Sequence, residues 1–154
     1  MSESHVEKDA TSNEYGTALV KLGQENPNVV ALCADLTEST NANLFAKELP
    51  ERFFEVGVAE QNMAAVADGL GVTGKVAFIS SYATFSPGTH SETIRTTTVY
   101  NQSNVKIAGH HAGIMTGPDS STHPAKEATA ILRCSPHRER LSTADAIETD
   151  TTHI

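Results

Sequence analysis

Glu60 is the residue of this sequence whose position could best support chemistry. Residues 53–56, Phe-Phe-Glu-Val, have the composition of a strand, and the apolar positions after Gly57 recur at helical spacing. The sequence therefore predicts a strand, a tight turn and a helix, with Glu60 in the first helical turn. Ligand clefts of α/β proteins form where strands end in this way. A first-turn carboxylate also complements the helix dipole, so spacing alone leaves both roles open.

Alternating apolar and helical segments predict the elements that position this junction. Apolar runs indicate strands at 29–34, 53–56, 75–79 and 105–108, and the continuous run at 29–34 indicates a strand buried on both faces. Further helices are predicted around these strands: one capped by Ser12 or Asn13, a short one ending at Leu49, one at 92–100, and one at 124–133 capped by Thr122. Strands alternating with helices predict an α/β fold with a doubly wound, mainly parallel sheet.

Length, charge and cysteine usage bound the class of protein. The 154 residues fit one domain at 12–154, after a polar tail at 1–11 that we expect to be disordered. Nineteen acidic and eleven basic residues give a formal net charge of −8, which disfavours a nucleic-acid surface. No signal peptide and no membrane-spanning run is recognisable. Two distant cysteines, Cys33 and Cys134, suit a reducing compartment, so we expect a cytoplasmic protein.

Residues 69–74, Gly-Leu-Gly-Val-Thr-Gly, match the GxGxxG spacing of dinucleotide-binding loops. The segment follows a predicted helix and precedes a predicted strand. That order is the reverse of the one that places a pyrophosphate at a helix N-terminus. We therefore interpret it as a helix end followed by a turn.

The string GVAEQNM at 57–63, between FFEV and AAVADGLG, resembles the pyrimidine-binding module of thiamine-diphosphate-dependent transketolases. It is especially similar to the smaller subunit of transketolases that are split over two chains, and the resemblance runs from about Tyr15 to Arg133. It implies the fold of that module, with thiamine diphosphate as the cofactor. Because no GDG motif with a following asparagine at the family's distance is present, it also implies a partner chain that binds the diphosphate and magnesium.

The resemblance also implies roles for individual residues. A carboxyl group at Glu60 would meet a ring nitrogen of the pyrimidine and favour the tautomer that removes the thiazolium proton. Phe85 matches the aromatic residue that packs on the aminopyrimidine, and Asp35 matches the aspartate beside the thiazolium. The remaining matches are residues that line the substrate channel and meet sugar hydroxyls, namely His111, Asp119 and His123. The two histidines would move protons there.

The residue types alone allow other interpretations of these positions. Phe85 fits a core aromatic at a strand end, and Asp35 fits a turn residue after a strand. The histidines at 110, 111 and 123 could suggest a metal ion, but adjacent histidines point apart in an extended chain. No nearby Cys or Glu completes a tetrahedral set, so we expect no metal bound by this chain.

The sequence departs from the family pattern towards its end. Residues 137–140, His-Arg-Glu-Arg, stand where the family has an apolar strand, and charged side chains do not fit a strand buried on both faces. We expect the sheet to lack that strand or to place it at an edge. The region 134–154 is divergent, and we expect the family's C-terminal domain to be absent.

The expected function is transfer of a two-carbon ketol unit between sugar phosphates, in a dimer or hetero-oligomer with the diphosphate-binding chain. Two alternatives stay open. One is a catalytically silent domain that binds or regulates a partner. The other is a fragment similar to deoxyxylulose phosphate synthase, which usually has His where Asn62 stands.

Overall fold

The computed structural model describes residues 10–113, 122–145 and 147–149. Within these residues the strands are β1 Val29–Cys33, β2 Phe53–Glu55, β3 Val76–Tyr82 and β4 Val105–His110. A 3₁₀ turn at Pro50–Arg52 precedes β2. The helices are α1 Thr11–Glu25, α2 Asn43–Glu48, α3 Glu60–Val72, α4 Ser91–Ile94, which continues as a π-helix at Arg95–Val99, and α5 Ala128–Arg133.

The four strands form one parallel sheet in the order β2-β1-β3-β4. Cys33 of β1 pairs with Glu55 of β2 on one side and with Ser80 of β3 on the other. The carboxyl ends of these strands therefore lie at the same edge of the sheet. The predicted α/β fold with a parallel sheet is confirmed.

Alternate residues of the strands face two separate hydrophobic clusters. Val30 and Leu32 of β1 belong to a cluster with Met63 and Ala67 of α3. The intervening strand residues belong to a second cluster with α1 and α2, whose buried members are Tyr15, Leu19, Val29, Ala31, Phe45 and Phe78. All five residues of β1 are buried, as expected for a parallel strand covered on both faces.

The structure corrects the predicted starts of two helices. α1 begins at Thr11 after Ala10, and neither Ser12 nor Asn13 caps it. α5 begins at Ala128 rather than at 124, and Thr122 does not cap it. The Thr122 hydroxyl instead shares a hydrogen bond of 2.7 Å with Nδ1 of His123. A serine or threonine can satisfy a neighbouring side chain as readily as a helix end, so its type alone does not fix a helix start.

The GxGxxG segment has the context that its sequence predicted. α3 runs through Gly69 and Gly71 to Val72, and the chain turns at Gly74, whose φ is +92°, before β3 begins. A left-handed backbone of this kind suits glycine, so the segment serves as a helix end and a turn.

Residues 138–144 are irregular, and the described residues 122–145 contain no strand. Arg138 donates a hydrogen bond of 2.9 Å from Nη1 to the carbonyl oxygen of Val105, the first residue of β4. The charged segment thus contacts the sheet through a side chain rather than by strand pairing. Among the helices of the described residues, none has the length and apolar character needed to cross a membrane.

Candidate active site

Glu60 lies where β2 passes into α3. Gly57 turns the chain with a φ of +70°, and the Ala59 amide donates to the Gly57 carbonyl over 2.7 Å. Glu60 then opens α3 and is half-buried. Ser81, near the end of β3, donates from its hydroxyl to Oε1 of Glu60 over 3.4 Å. One oxygen of the carboxylate is therefore directed towards the carboxyl end of β3.

A cleft of about 430 Å³ opens beside this carboxylate. Its wall is formed by the end of the turn before α3, the first residues of α3 and one residue of the loop after β3. The lining residues are Val58, Ala59, Glu60, Gln61, Asn62 and Thr89. The cleft therefore combines one carboxylate with neutral hydrogen-bonding groups.

Three of the predicted site residues meet around one tyrosine. Tyr82, the last residue of β3, stacks on Phe85 with ring centroids 6.1 Å apart and an interplanar angle of 10°. The rings of His111 and His123 contact Tyr82 edge-on at 4.5 and 6.2 Å, and His123 also meets Phe85 at 5.4 Å. The structure therefore brings Phe85, His111 and His123 into one aromatic cluster after β3 and β4.

The two adjacent histidines contact different rings. His110 meets Tyr15 of α1 edge-on at 4.7 Å, whereas His111 meets Tyr82. His111 has a φ of +53°, which turns the chain directly after β4. The described residues contain no group of three or more His, Cys, Asp and Glu side chains able to hold a metal ion.

The loop that carries Phe85 is held by one buried polar contact and by hydrogen bonds from Thr89 at the surface. Ser86 and His90 are both buried, and Oγ of Ser86 shares a hydrogen bond of 3.2 Å with Nε2 of His90. Burial lowers the pKa of His90, so its imidazole stays neutral at neutral pH. Thr89 donates to the Phe85 carbonyl from both its amide, over 3.1 Å, and its hydroxyl, over 3.0 Å.

Asp35 lies in the loop after β1, apart from the aromatic cluster. It is exposed and has a φ of +57°, and its amide donates to Oε1 of Glu55 over 2.7 Å. Burial raises the pKa of the neighbouring Cys33 thiol, which makes it a poor nucleophile. Asp119 lies outside the described residues.

Several residues that support this site were not predicted from the sequence. Tyr82 lies three positions before Phe85 in the sequence, and its position at the end of an apolar strand was the available signal. Ser81 and Thr89 gave no signal, because neither type nor spacing tells which serine or threonine will contact Glu60 or its cleft. Glu55 appeared only as part of a matched string, although three groups donate hydrogen bonds to it.

Fold and site together define a cofactor-binding module of the transketolase type. The family model described as the transketolase pyrimidine binding domain matches residues 7–152, and the chain belongs to this family. Membership implies dependence on thiamine diphosphate. A Methanocaldococcus jannaschii protein named as a putative transketolase C-terminal section is 46% identical over 135 residues, covering 88% of this chain and 43% of that protein. Human transketolase is 34% identical over 145 residues, covering 94% of this chain and 23% of that enzyme.

Solved structures agree with this assignment. A structure described as a split-gene transketolase, inactive β4 tetramer, superposes with a TM-score of 0.82 at 44% identity, covering 95% of this chain and 47% of the other. Transketolase from Leishmania mexicana superposes with a TM-score of 0.77 at 25% identity, covering 95% of this chain and 23% of the other. This chain thus spans less than half the length of these relatives.

Proposed function

We propose that this chain is the pyrimidine-binding part of a thiamine-diphosphate-dependent transketolase. It transfers a two-carbon ketol unit between sugar phosphates when it is paired with a chain that binds the cofactor's diphosphate. The observation that carries the proposal is the position of Glu60, half-buried at the start of α3 on the wall of a cleft of about 430 Å³.

The groups around the cleft fit an aminopyrimidine ring. A carboxyl group is a suitable hydrogen-bond partner for a ring nitrogen. The hydrogen bond from Ser81 to Glu60 is long, at 3.4 Å, so it competes weakly with such a partner. The nearby amides of Gln61 and Asn62 and the hydroxyl of Thr89 can meet the remaining polar atoms of the ring. Asn62 stands where deoxyxylulose phosphate synthases usually have His, which favours the transketolase assignment.

Each site residue has a proposed role. When bound, thiamine diphosphate supplies the carbon nucleophile that breaks a carbon–carbon bond of the ketose. Glu60 holds a proton at the pyrimidine nitrogen, Phe85 packs against that ring, and Asp35 approaches the thiazolium. The channel residues bind sugar hydroxyls, and the two histidines exchange protons with them: His111, Asp119 and His123. The clustering of both histidines around Tyr82 supports their acting on one substrate.

The partner chain holds magnesium and the diphosphate in this proposal. The oligomer is a dimer or hetero-oligomer, and the relative named as a C-terminal section supports a separately encoded partner. The location that goes with the proposal is the cytoplasm. Its support is that Cys33 and Cys134 are both free thiols.

A second candidate is a catalytically silent domain that binds or regulates a partner. The observation that favours it is that the similar β4 tetramer is described as inactive. The two candidates differ in whether the chain gains turnover when a diphosphate-binding chain is added.

The test mixes this chain with the diphosphate-binding chain from the same genome, thiamine diphosphate and magnesium, and measures ketol transfer. We expect activity in the mixture and its loss in Glu60→Ala. Glu48→Ala is the matched control, because Glu48 is an exposed carboxylate on α2. Association without turnover would support the silent domain, and a chain that does not associate would contradict both candidates.

A further inference from the structure

The side chain of Glu55 joins two loops that leave the same edge of the sheet. Its Oε1 accepts hydrogen bonds from the Asp35 amide over 2.7 Å and from the Gly57 amide over 3.0 Å. Its Oε2 accepts a short hydrogen bond from the hydroxyl of Thr37. One carboxylate therefore holds the loop after β1 and the turn before α3. Hydrogen bonds to an ionised acceptor are stronger than those between neutral groups.

Both residues whose amides point to Oε1 have a left-handed backbone. Asp35 has a φ of +57° and Gly57 a φ of +70°. This conformation is less favourable for aspartate than for glycine, so contacts around Asp35 help to hold it. The hydrogen bond from its own amide to Glu55 is such a contact.

The position of β2 explains why this contact matters for Glu60. β2 is an edge strand of three residues, and it is followed by a single backbone hydrogen bond of 3.0 Å from the Val56 amide to the Cys33 carbonyl. The turn that leads to Glu60 then depends on side-chain contacts for its attachment to β1. Glu55 provides two of these by accepting from Asp35 and Thr37 in the loop after β1, and its hydrogen bond from Gly57 holds the turn itself.

We propose that Glu55 is a positioning residue that fixes the Gly57–Glu60 turn against the Asp35 loop, so that Asp35 and Glu60 meet the two rings of one cofactor at a set separation. The inference rests on the proposed function, because it assigns Glu55 an effect on cofactor binding through Glu60.

The first test measures the bridge in the chain without its cofactor. Glu55→Ala removes both carboxylate oxygens, and with them all three hydrogen bonds that this side chain accepts. We expect hydrogen exchange at the Asp35 and Gly57 amides, followed by NMR, to become about tenfold faster. Glu48→Ala is the control and should leave both rates unchanged. Unchanged rates in Glu55→Ala would overturn the bridge.

The second test measures positioning in the mixture with the diphosphate-binding chain and magnesium. We expect the thiamine diphosphate concentration for half-maximal ketol transfer to rise about tenfold in Glu55→Ala, since small misplacements of catalytic groups are costly. Partial unfolding would lower the maximal rate without moving this midpoint, so an unmoved midpoint would overturn the positioning role. A wild-type mixture without ketol transfer would instead overturn the proposed function and the positioning role with it, whatever the exchange rates show.

Discussion

Gly88→Ala should unfold the loop that carries Phe85. A Cβ atom at position 88 would lie 1.9 Å from the carbonyl oxygen of Thr84 and 2.6 Å from its carbonyl carbon. Since Cβ contacts shorter than 3.0 Å essentially never occur, the backbone must move by about 1.1 Å, the difference between 3.0 and 1.9 Å. The obstacle is backbone rather than a flexible side chain, so it cannot move aside locally.

This movement would break two hydrogen bonds of the loop. They join the Gly88 amide to the Ala83 carbonyl over 3.2 Å and the Thr89 amide to the Phe85 carbonyl over 3.1 Å. At about 1 kcal/mol each, their loss should lower the free energy of unfolding by about 2 kcal/mol. For a chain of this length that corresponds to a fall in Tm of about 4–8 °C, measurable by thermal unfolding followed by circular dichroism.

Gly69→Ala is the matched control for the same chemical change. A Cβ at this exposed position of α3 would meet nothing within 4 Å. Because alanine favours a helix over glycine, the control should raise the unfolding free energy by about 0.5–1 kcal/mol. A Gly88→Ala protein as stable as wild type would refute the steric reasoning, and so would two variants that shift in the same direction.

Three further changes test buried polar groups. Tyr15→Phe removes the 2.6 Å hydrogen bond to Ser80, and urea unfolding should show a loss of about 1–2 kcal/mol. Burial raises the pKa of Tyr15, so above about pH 10 the tyrosine ionises only in the unfolded protein. The free energy of unfolding of the wild type should therefore fall above that pH, and it should fall less steeply in Tyr15→Phe. Burial lowers the pKa of His90, so thermal stability should fall below about pH 6.5, and less in His90→Gln. Asp68→Ala removes the acceptor of Ser103, at 2.6 Å, and calorimetry should show a loss of about 2–3 kcal/mol.

Each of these expectations has a contrary result. A Tyr15→Phe protein with unchanged stability would show that the hydroxyl contact to Ser80 contributes nothing. Parallel pH profiles for wild type and His90→Gln would show that His90 titrates normally. An Asp68→Ala loss below about 0.5 kcal/mol, the usual scatter of surface substitutions, would show that this buried carboxylate is not needed at the end of α3.

The sheet could be predicted from the sequence because each strand contains a short run of apolar residues. Residues 29–33 are apolar on both faces, and the structure buries both faces between α1 and α3. The switch from strand to helical spacing at Gly57 likewise located the start of α3 at Glu60. Helix starts were less predictable, since Ala10 precedes α1 without a capping side chain.

The location of a site residue could be predicted only where the residue follows a strand of the parallel sheet. Glu60, Phe85 and the two histidines follow strands, so their presence at one edge of the sheet follows from topology. Contacts between loops could not be predicted, because they depend on side-chain placement between distant residues. The hydrogen bonds that Glu55 accepts from Asp35 and Thr37, which span 20 and 18 positions, are the clearest case.

The most direct measurement of the central claim is the exchange rate of the proton on the thiazolium carbon of thiamine diphosphate in the reconstituted complex. If Glu60 assists this proton's removal, Glu60→Gln should slow deuterium exchange by about 10²–10⁴-fold, the usual contribution of a positioned acid or base. Glu48→Gln should exchange at the wild-type rate. Equal exchange rates in wild type and Glu60→Gln, with cofactor bound in both, would contradict the assignment of Glu60 as the activating carboxylate.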